Sequence, residues 1–91
     1  MRRHQRQIDL CNAALDSVRS IIPSDLCRDV DEYINRFDEW GLGVEILIDQ
    51  ISEFEIKITQ EQFSHIYAAM DSMGLAKSDR VNYLRNHGIV A

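Results

Sequence analysis

Apolar residues recur every three to four positions along most of the chain, and this spacing places them on one face of an α-helix. A first helix is predicted to end at Pro23, because proline interrupts helical hydrogen bonding. Its apolar stripe comprises Ile8, Cys11, Ala14, Leu15, Val18, Ile21 and Ile22. Ser24 is predicted to cap a second helix, and the inward face of that helix comprises Leu26, Val30, Tyr33, Ile34 and Phe37. The amino-terminal part of the chain is therefore predicted to form two amphipathic helices.

A third segment, which begins at Trp40, has two apolar faces instead of one. The first comprises Trp40, Val44, Leu47, Ile48 and Ile51, and the second comprises Leu42 and Ile46. This pattern predicts a central helix that is covered on two sides. Gly41 and Gly43 weaken its first turn, so either the helix begins late or another backbone approaches closely. Trp40 is interpreted as a core residue, with an interface anchor as the alternative, since tryptophan is enriched in both settings.

Residues 54–58 alternate apolar and charged side chains with a period of two, which predicts an extended connector. Thr59 and Gln62 then have the spacing of a capping box, and Ile58 with Phe63 has that of a hydrophobic staple. The helix that follows is predicted to end at Gly74, and its buried face comprises Phe63, Ile66, Tyr67, Met70 and Met73. A short last helix is predicted from Ser78 to a stop at 86–88, which leaves Ile89 and Val90 as a tail over the core.

These segments predict an all-α fold, a compact bundle of four to five helices in a single domain spanning residues 1–91, monomeric or weakly dimeric. With 91 residues, 45% of them hydrophobic, the chain is large enough for one core but small for a deep, enclosed active site. The basic start of the chain is followed by Asp9, with no long apolar stretch behind it. We therefore expect a soluble, cytoplasmic protein without membrane association.

Charge is distributed unevenly along the sequence. Residues 25–61 contain eleven carboxylates and three basic groups, a net charge of −8, whereas the flanking segments 1–24 and 62–91 carry +2 and +1. Within the block, three carboxylates recur every fourth residue and would form one row of like charges on a helix, which costs stability; we call Glu45, Asp49 and Glu53 the acid row.

The acid row is interpreted as a surface for a positively charged partner, because no compensating charge is evident from the sequence and concentrated charge of one sign selects a complementary patch. An ordinary solvated helix face is the alternative interpretation. The predicted partner-binding residues are Asp25, Asp29, Glu32, Glu45, Asp49, Glu53 and Glu55.

The sequence offers little for catalysis. It has no Gly-rich phosphate loop, no paired-cysteine motif and no histidine pair with metal-ligand spacing. His65 is interpreted as packed or solvated, and Cys11 and Cys27 as buried reduced thiols. We predict no catalytic residues, no metal, no cofactor and no enzymatic activity. A pI near 5 also argues against direct nucleic-acid binding, which depends on Lys and Arg.

Four stretches of the sequence carry a resemblance to a known family. They are VDEYI at 30–34, EWGLGVEILIDQI at 39–51, ITQEQF at 58–63 and MGL at 73–75. This arrangement, an acidic residue and an aromatic residue before Gly-Leu, then an apolar helix with Glu and Asp four apart and a capped helix start, resembles the MafI family of bacterial immunity proteins. The resemblance covers about half of the chain, residues 30–75.

The resemblance implies a compact all-helical antidote to a polymorphic toxin of the kind that competing bacteria deliver by secretion or contact-dependent growth inhibition. Its implied partner is the cognate toxin's C-terminal domain, which is often a nuclease with a basic surface. Two other hypotheses remain from the residues: a different small helical protein-interaction module, or a helix-turn-helix-like transcriptional regulator. In the latter, residues 60–87 would form two helices, with Arg80, Asn82 and Arg85 reaching outward.

Overall fold

Five α-helices account for most of residues 4–90, the part of the chain that the computed structural model describes. The helices are α1 Gln5–Val18, α2 Ser24–Asp31, α3 Trp40–Glu53, α4 Gln60–Ser72 and α5 Asp79–His87. The predicted all-α bundle is confirmed. Met1 to Arg3, which belong to the basic start considered above, and Ala91 lie outside the described residues. Within residues 4–90, no helix has both the length and the hydropathy required to cross a bilayer.

Helix α3 is the centre of the bundle, as predicted, and contacts each of the other four helices. Its core face, Val44, Leu47, Ile48 and Ile51, is fully buried. Gly43 allows the close approach of α2 and the turn after it, because a Cβ at this position would lie 3.1 Å from Ile34 Cγ1 and 3.3 Å from the Val30 carbonyl oxygen. The helix begins at Trp40, so close approach, and not a late start, explains Gly43.

Helix α4 has the boundaries that its sequence signals predict. The Gln62 amide donates to Thr59 Oγ1 at 3.0 Å and the Thr59 amide donates to Gln62 Oε1 at 2.8 Å, which completes the capping box. At the other end Gly74 adopts a φ of 75°, and the Leu75 amide donates to the Met70 carbonyl at 2.9 Å. These features are those of a Schellman motif, for which glycine is favoured.

Helix α1 ends earlier than predicted, at Val18 and not at Pro23. Proline has no amide hydrogen and its ring clashes with the carbonyl four residues before it, here that of Arg19, so the helix cannot continue through Pro23; residues 19–22 form a turn and a bend. The Arg19 carbonyl instead accepts a hydrogen bond from Cys27 Sγ at 3.5 Å. The predicted cap was also wrong, because Pro23 occupies the N-cap position and Ser24 is the first residue of α2 without a side-chain cap.

A π-helical turn, Glu32–Arg36, follows α2 and changes the phase of the helix. Its amide-to-carbonyl bond spans five residues, from Phe37 to Glu32 at 2.9 Å, so the residues after it rotate relative to an α-helix. Ile34 remains fully buried, but Phe37 is 52% exposed. The assignment of Phe37 to the inward face was therefore wrong, since it assumed an uninterrupted α-helix.

The connector and the chain end form a single parallel bridge between Ile58 and Ile89. The Ile58 amide donates to the Gly88 carbonyl at 2.8 Å, and the Val90 amide donates to the Ile58 carbonyl at 2.9 Å. Ile58 is fully buried and Ile89 packs against the core, whereas Val90 is exposed. The tail thus covers the core through Ile89 only.

Trp40 is half-buried at the start of α3. It packs against the core, and its ring lies 5.5 Å from that of His4. This position agrees with the core interpretation, while the exposed part of the ring leaves the interface alternative open.

Both cysteines are buried and unpaired, as predicted. Burial raises the pKa of the Cys11 thiol to about 12, because desolvation disfavours the thiolate. The thiolate is the reactive form, so we expect Cys11 in the native protein to react far more slowly with Ellman's reagent at mildly alkaline pH than in denaturant. Equal rates in the two conditions would show that Cys11 is accessible to solvent.

Candidate partner-binding surface

The acid row is partly neutralised by a residue from α5. The Arg80 guanidinium donates to both carboxylate oxygens of Asp49, at 3.0 and 3.2 Å, and also pairs with Glu45. All three side chains are partly shielded from solvent. The expectation that the like charges of the row are uncompensated was therefore wrong for two of its three members.

Arg80 thus links α5 to the central helix α3 through ion pairs. Sequence spacing gives no indication of this contact, because Arg80 follows Glu45 by 35 residues and Asp49 by 31. From the sequence of α5 alone, Arg80 cannot be distinguished from any other outward-facing basic residue. Only the packing of α5 against α3 brings the charges together.

Replacing Arg80 by Met should lower the free energy of unfolding by about 1 to 2 kcal/mol, because it leaves two partly shielded carboxylates facing each other. The control is Arg6→Met, which removes an exposed positive charge of α1 and should change stability little. Urea unfolding at low and high salt measures the free energy of unfolding of both variants. Equal stability of the two variants would show that the Arg80 pairs are only a solvated contact.

The third member of the row, Glu53, is exposed, and no residue within 4–90 forms an ion pair or side-chain hydrogen bond with it. Glu55 lies in the turn after α3 with a φ of 55° and borders a separate hollow together with Lys57, Tyr83 and His87. Glu55 therefore belongs to a different part of the surface from the groove described next.

Asp25 and Asp29 lie on α2 at the rim of a groove between α2 and α3. The groove has a volume of about 430 Å³, and we call it the α2–α3 groove. Its lining comprises Pro23, Asp25, Leu26, Asp29, Tyr33, Ile46, Gln50 and Phe54. Arg28 lies 3.4 Å from Asp25 and 3.9 Å from Asp29, and the last of the seven candidates, Glu32, lies 3.9 Å from Arg36. The predicted acidic residues of α2 thus border an apolar depression.

One wall of the groove comes from the second apolar face of α3. Leu42, Ile46, Gln50 and Phe54 recur every fourth residue, and we call them the groove row; the last three line the groove, whereas Leu42 lies beyond its lining. Each carboxylate of the acid row lies three residues after a member of the groove row, so the two rows are neighbours on the helix surface.

The second apolar face of α3 is largely uncovered. Leu42 is 43% exposed and Phe54 is 57% exposed, whereas Ile46 is half-buried against the core. The prediction that α3 is covered on both sides was therefore wrong at Leu42. Sequence reasoning also missed Phe54, which it assigned to the connector, although its spacing of four from Gln50 and eight from Ile46 was a usable signal.

The basic residues of α5 interact with other groups of the chain. Arg80 is paired with α3, and the Arg85 guanidinium lies 5.5 Å from the ring centres of both Phe63 and Tyr67. Arg85 also donates to Asn82 at 3.3 Å. A DNA-reading role for these three residues would require them to leave these contacts.

The histidines do not form a site with other side chains. His4 precedes α1, His65 is exposed on α4, and His87 ends α5 against the Tyr83 ring. No cluster of three His, Cys, Asp or Glu residues suited to a metal ion occurs within residues 4–90. The described surface is therefore best characterised by its acidic and apolar groups.

Comparison with models of known families, with curated proteins and with solved structures found no match to this chain.

Proposed function

We propose that the protein is an immunity protein, which binds the C-terminal domain of a cognate bacterial toxin through the acidic and apolar surface of α2 and α3. The observation that carries this proposal is the α2–α3 groove, where exposed apolar side chains lie beside exposed carboxylates. Apolar anchors with a charged rim are typical of protein interfaces. A partner with basic and apolar groups is the natural complement of this surface.

The charge of the surface supports a nuclease as the toxin. A nuclease must attract a polyanion, so its substrate cleft is basic. The carboxylates of Asp25, Asp29 and Glu53 would pair with such a cleft, or with its border, and exclude RNA or DNA from it. They would also accelerate the encounter of the two proteins.

The resemblance to the MafI immunity family supports the same proposal. One of the stretches that carry it, 39–51, covers most of α3 and includes Glu45 and Asp49 of the acid row and Leu42, Ile46 and Gln50 of the groove row. The ion pairs of Arg80 reduce the number of carboxylates available to a partner, since Glu45 and Asp49 are already paired, whereas Glu53 has no partner within residues 4–90. The carboxylates of this surface that are most available to a partner are therefore those of Glu53 and of Asp25 and Asp29 at the rim of the groove.

Co-expression tests the proposal. The gene preceding that of this chain is expected to encode a large secreted protein with a variable C-terminal domain. That domain alone should arrest the growth of a bacterial host, and co-expression of this chain should restore growth. The purified chain should also form a stable complex with the domain and inhibit its cleavage of RNA or DNA. A toxic domain that remains fully active beside saturating amounts of this chain, or the absence of such a gene, would refute the proposal.

A further inference from the structure

The α2–α3 groove combines a depression, an exposed aromatic wall and a charged rim. We propose that it receives one large apolar side chain from the partner protein, and that Lys or Arg residues flanking this side chain pair with Asp25 and Asp29. The inference rests on the proposed function and specifies the segment of the toxin domain that this chain recognises: an apolar anchor between basic residues.

The lining of the groove suits an apolar anchor. Leu26 is nearly buried at its base, and Ile46 and Tyr33 are half-buried beside it. Phe54 stands at one side with more than half of its surface exposed. An aromatic or large aliphatic side chain placed here would cover Phe54 and Ile46 together, and such fully desolvated anchors dominate interface energetics.

The shape of the groove is held by the packing beneath it. A Cβ on Gly43 would lie 3.2 Å from Tyr33 Cβ, so the backbone of α3 lies directly against the turn that carries Tyr33. The Glu39 amide donates to the Tyr33 carbonyl at 2.7 Å, and the Phe37 ring lies edge-on to the Tyr33 ring at 5.9 Å. A groove held in this way needs little rearrangement on binding, which reduces the entropy lost.

The rim selects the charge of the occupant. The side chains of Asp25 and Asp29 are 81% and 61% exposed, and they share one cation, Arg28. The rim therefore keeps a net negative charge and two carboxylates with unused acceptor positions. It attracts basic side chains and repels phosphates and acidic peptides.

Short synthetic peptides test the groove without the toxin. The probe is acetyl-Arg-Phe-Arg-amide, and the matched peptides are acetyl-Glu-Phe-Glu-amide and acetyl-Arg-Ser-Arg-amide. In ¹H–¹⁵N spectra of the whole chain, millimolar probe should shift the amides around Leu26, Ile46 and Phe54, while both matched peptides should shift them far less. Absence of shifts with the probe, or equal shifts with all three peptides, would overturn the inference.

Matched variants separate the groove from general surface effects. Phe54→Ser should weaken probe binding by about tenfold or more, whereas Tyr83→Ser should not, although Tyr83 is 54% exposed on α5. Asp25→Asn with Asp29→Asn should weaken binding similarly, whereas Glu61→Gln with Asp71→Asn removes the same charge from α4 and should not. Equal effects within either pair would contradict a specific groove.

The same variants distinguish this inference from the proposed function. If the unmodified chain restores growth in the co-expression test but the Phe54→Ser variant restores it equally well, the groove inference fails and the immunity function stands. If the probe binds the groove but the unmodified chain gives no protection, the proposed function fails and the groove remains a binding site for basic, apolar segments.

Discussion

Gly43→Val should lower the free energy of unfolding by about 3 kcal/mol or more, a large part of the about 5 to 15 kcal/mol that small domains have. Even a single Cβ here would lie 3.1 Å from Ile34 and 3.3 Å from the Val30 carbonyl. The nearest atoms include backbone, which cannot move aside as the end of a flexible side chain can. Adding a branched side chain would force α2 and its π-helical turn away from α3.

A graded series at the two glycines tests this explanation. Gly43→Ala should cost about 1 to 2 kcal/mol through overpacking. Gly41→Ala should be nearly neutral or stabilising, because its Cβ would meet only the flexible Met73 Sδ at 3.1 Å, and alanine favours helix over glycine. Thermal and urea unfolding followed by circular dichroism measure all three variants. Similar effects of alanine at both positions would contradict the close approach.

If the proposed immunity function holds, reversing the charge at the groove rim should abolish protection against the toxin while the fold remains. In the double variant Asp25→Lys with Asp29→Lys, the partner's basic groups meet like charges, and we expect binding about 100-fold weaker or more, much of it through slower association. The melting temperature should fall only slightly, because both positions are exposed and only Asp25 lies in the favourable first turn of α2.

The control for this reversal is Glu61→Lys with Asp71→Lys, which makes the same change in net charge on exposed positions of α4. Association rates measured at low and physiological salt distinguish an effect of the charge at the rim from an effect of the protein's net charge. The control should retain most of the binding, whereas the rim variant should associate faster at physiological than at low salt, since screening now weakens a repulsion instead of an attraction. Equal losses in both variants would show that only net charge matters.

The helices and the core were predictable because each carries a local signal. The ends of α4 are marked by the capping box at Thr59 and the αL glycine at Gly74, and each of these signals involves only a few neighbouring residues. The apolar stripe of α3, Val44 to Ile51, was likewise sufficient to predict the buried centre of the bundle. Gly41 and Gly43 indicated either a late helix start or a close approach of another backbone, and the structure has the close approach at Gly43.

The errors arose where distant or irregular contacts decide the outcome. The π-helical turn at Glu32–Arg36 leaves no clear mark in the apolar pattern, so Phe37 was assigned inward. The pairing of Arg80 with Asp49 joins residues 31 positions apart, so the acid row seemed uncompensated from the sequence. Pro23 set only the last point at which α1 could end, and Ile21 and Ile22 continue the apolar stripe, so the earlier end at Val18 could not be predicted from the pattern.

The pairing of Arg80 also changes how the acid row should be tested. If the row were uncompensated, replacing Glu45, Asp49 and Glu53 together by Ser would relieve the repulsion between like charges and leave the fold intact or slightly more stable. With Arg80 bonded to two of them, the same change leaves a partly buried guanidinium without partners and should destabilise the fold. Variants of the rim residues and of Phe54 are therefore the cleaner probes of partner binding.

Hydrogen exchange of this chain, free and bound to the toxin domain encoded by the preceding gene, tests the central claim most directly. If α2 and α3 bind the toxin, backbone amides from 24 to 54 should gain protection in the complex, most strongly around Leu26, Ile46 and Phe54. Amides of α4 and of the exposed side of α5 should change little. Protection confined to α4 and α5, with residues 24–54 unchanged, would contradict the account.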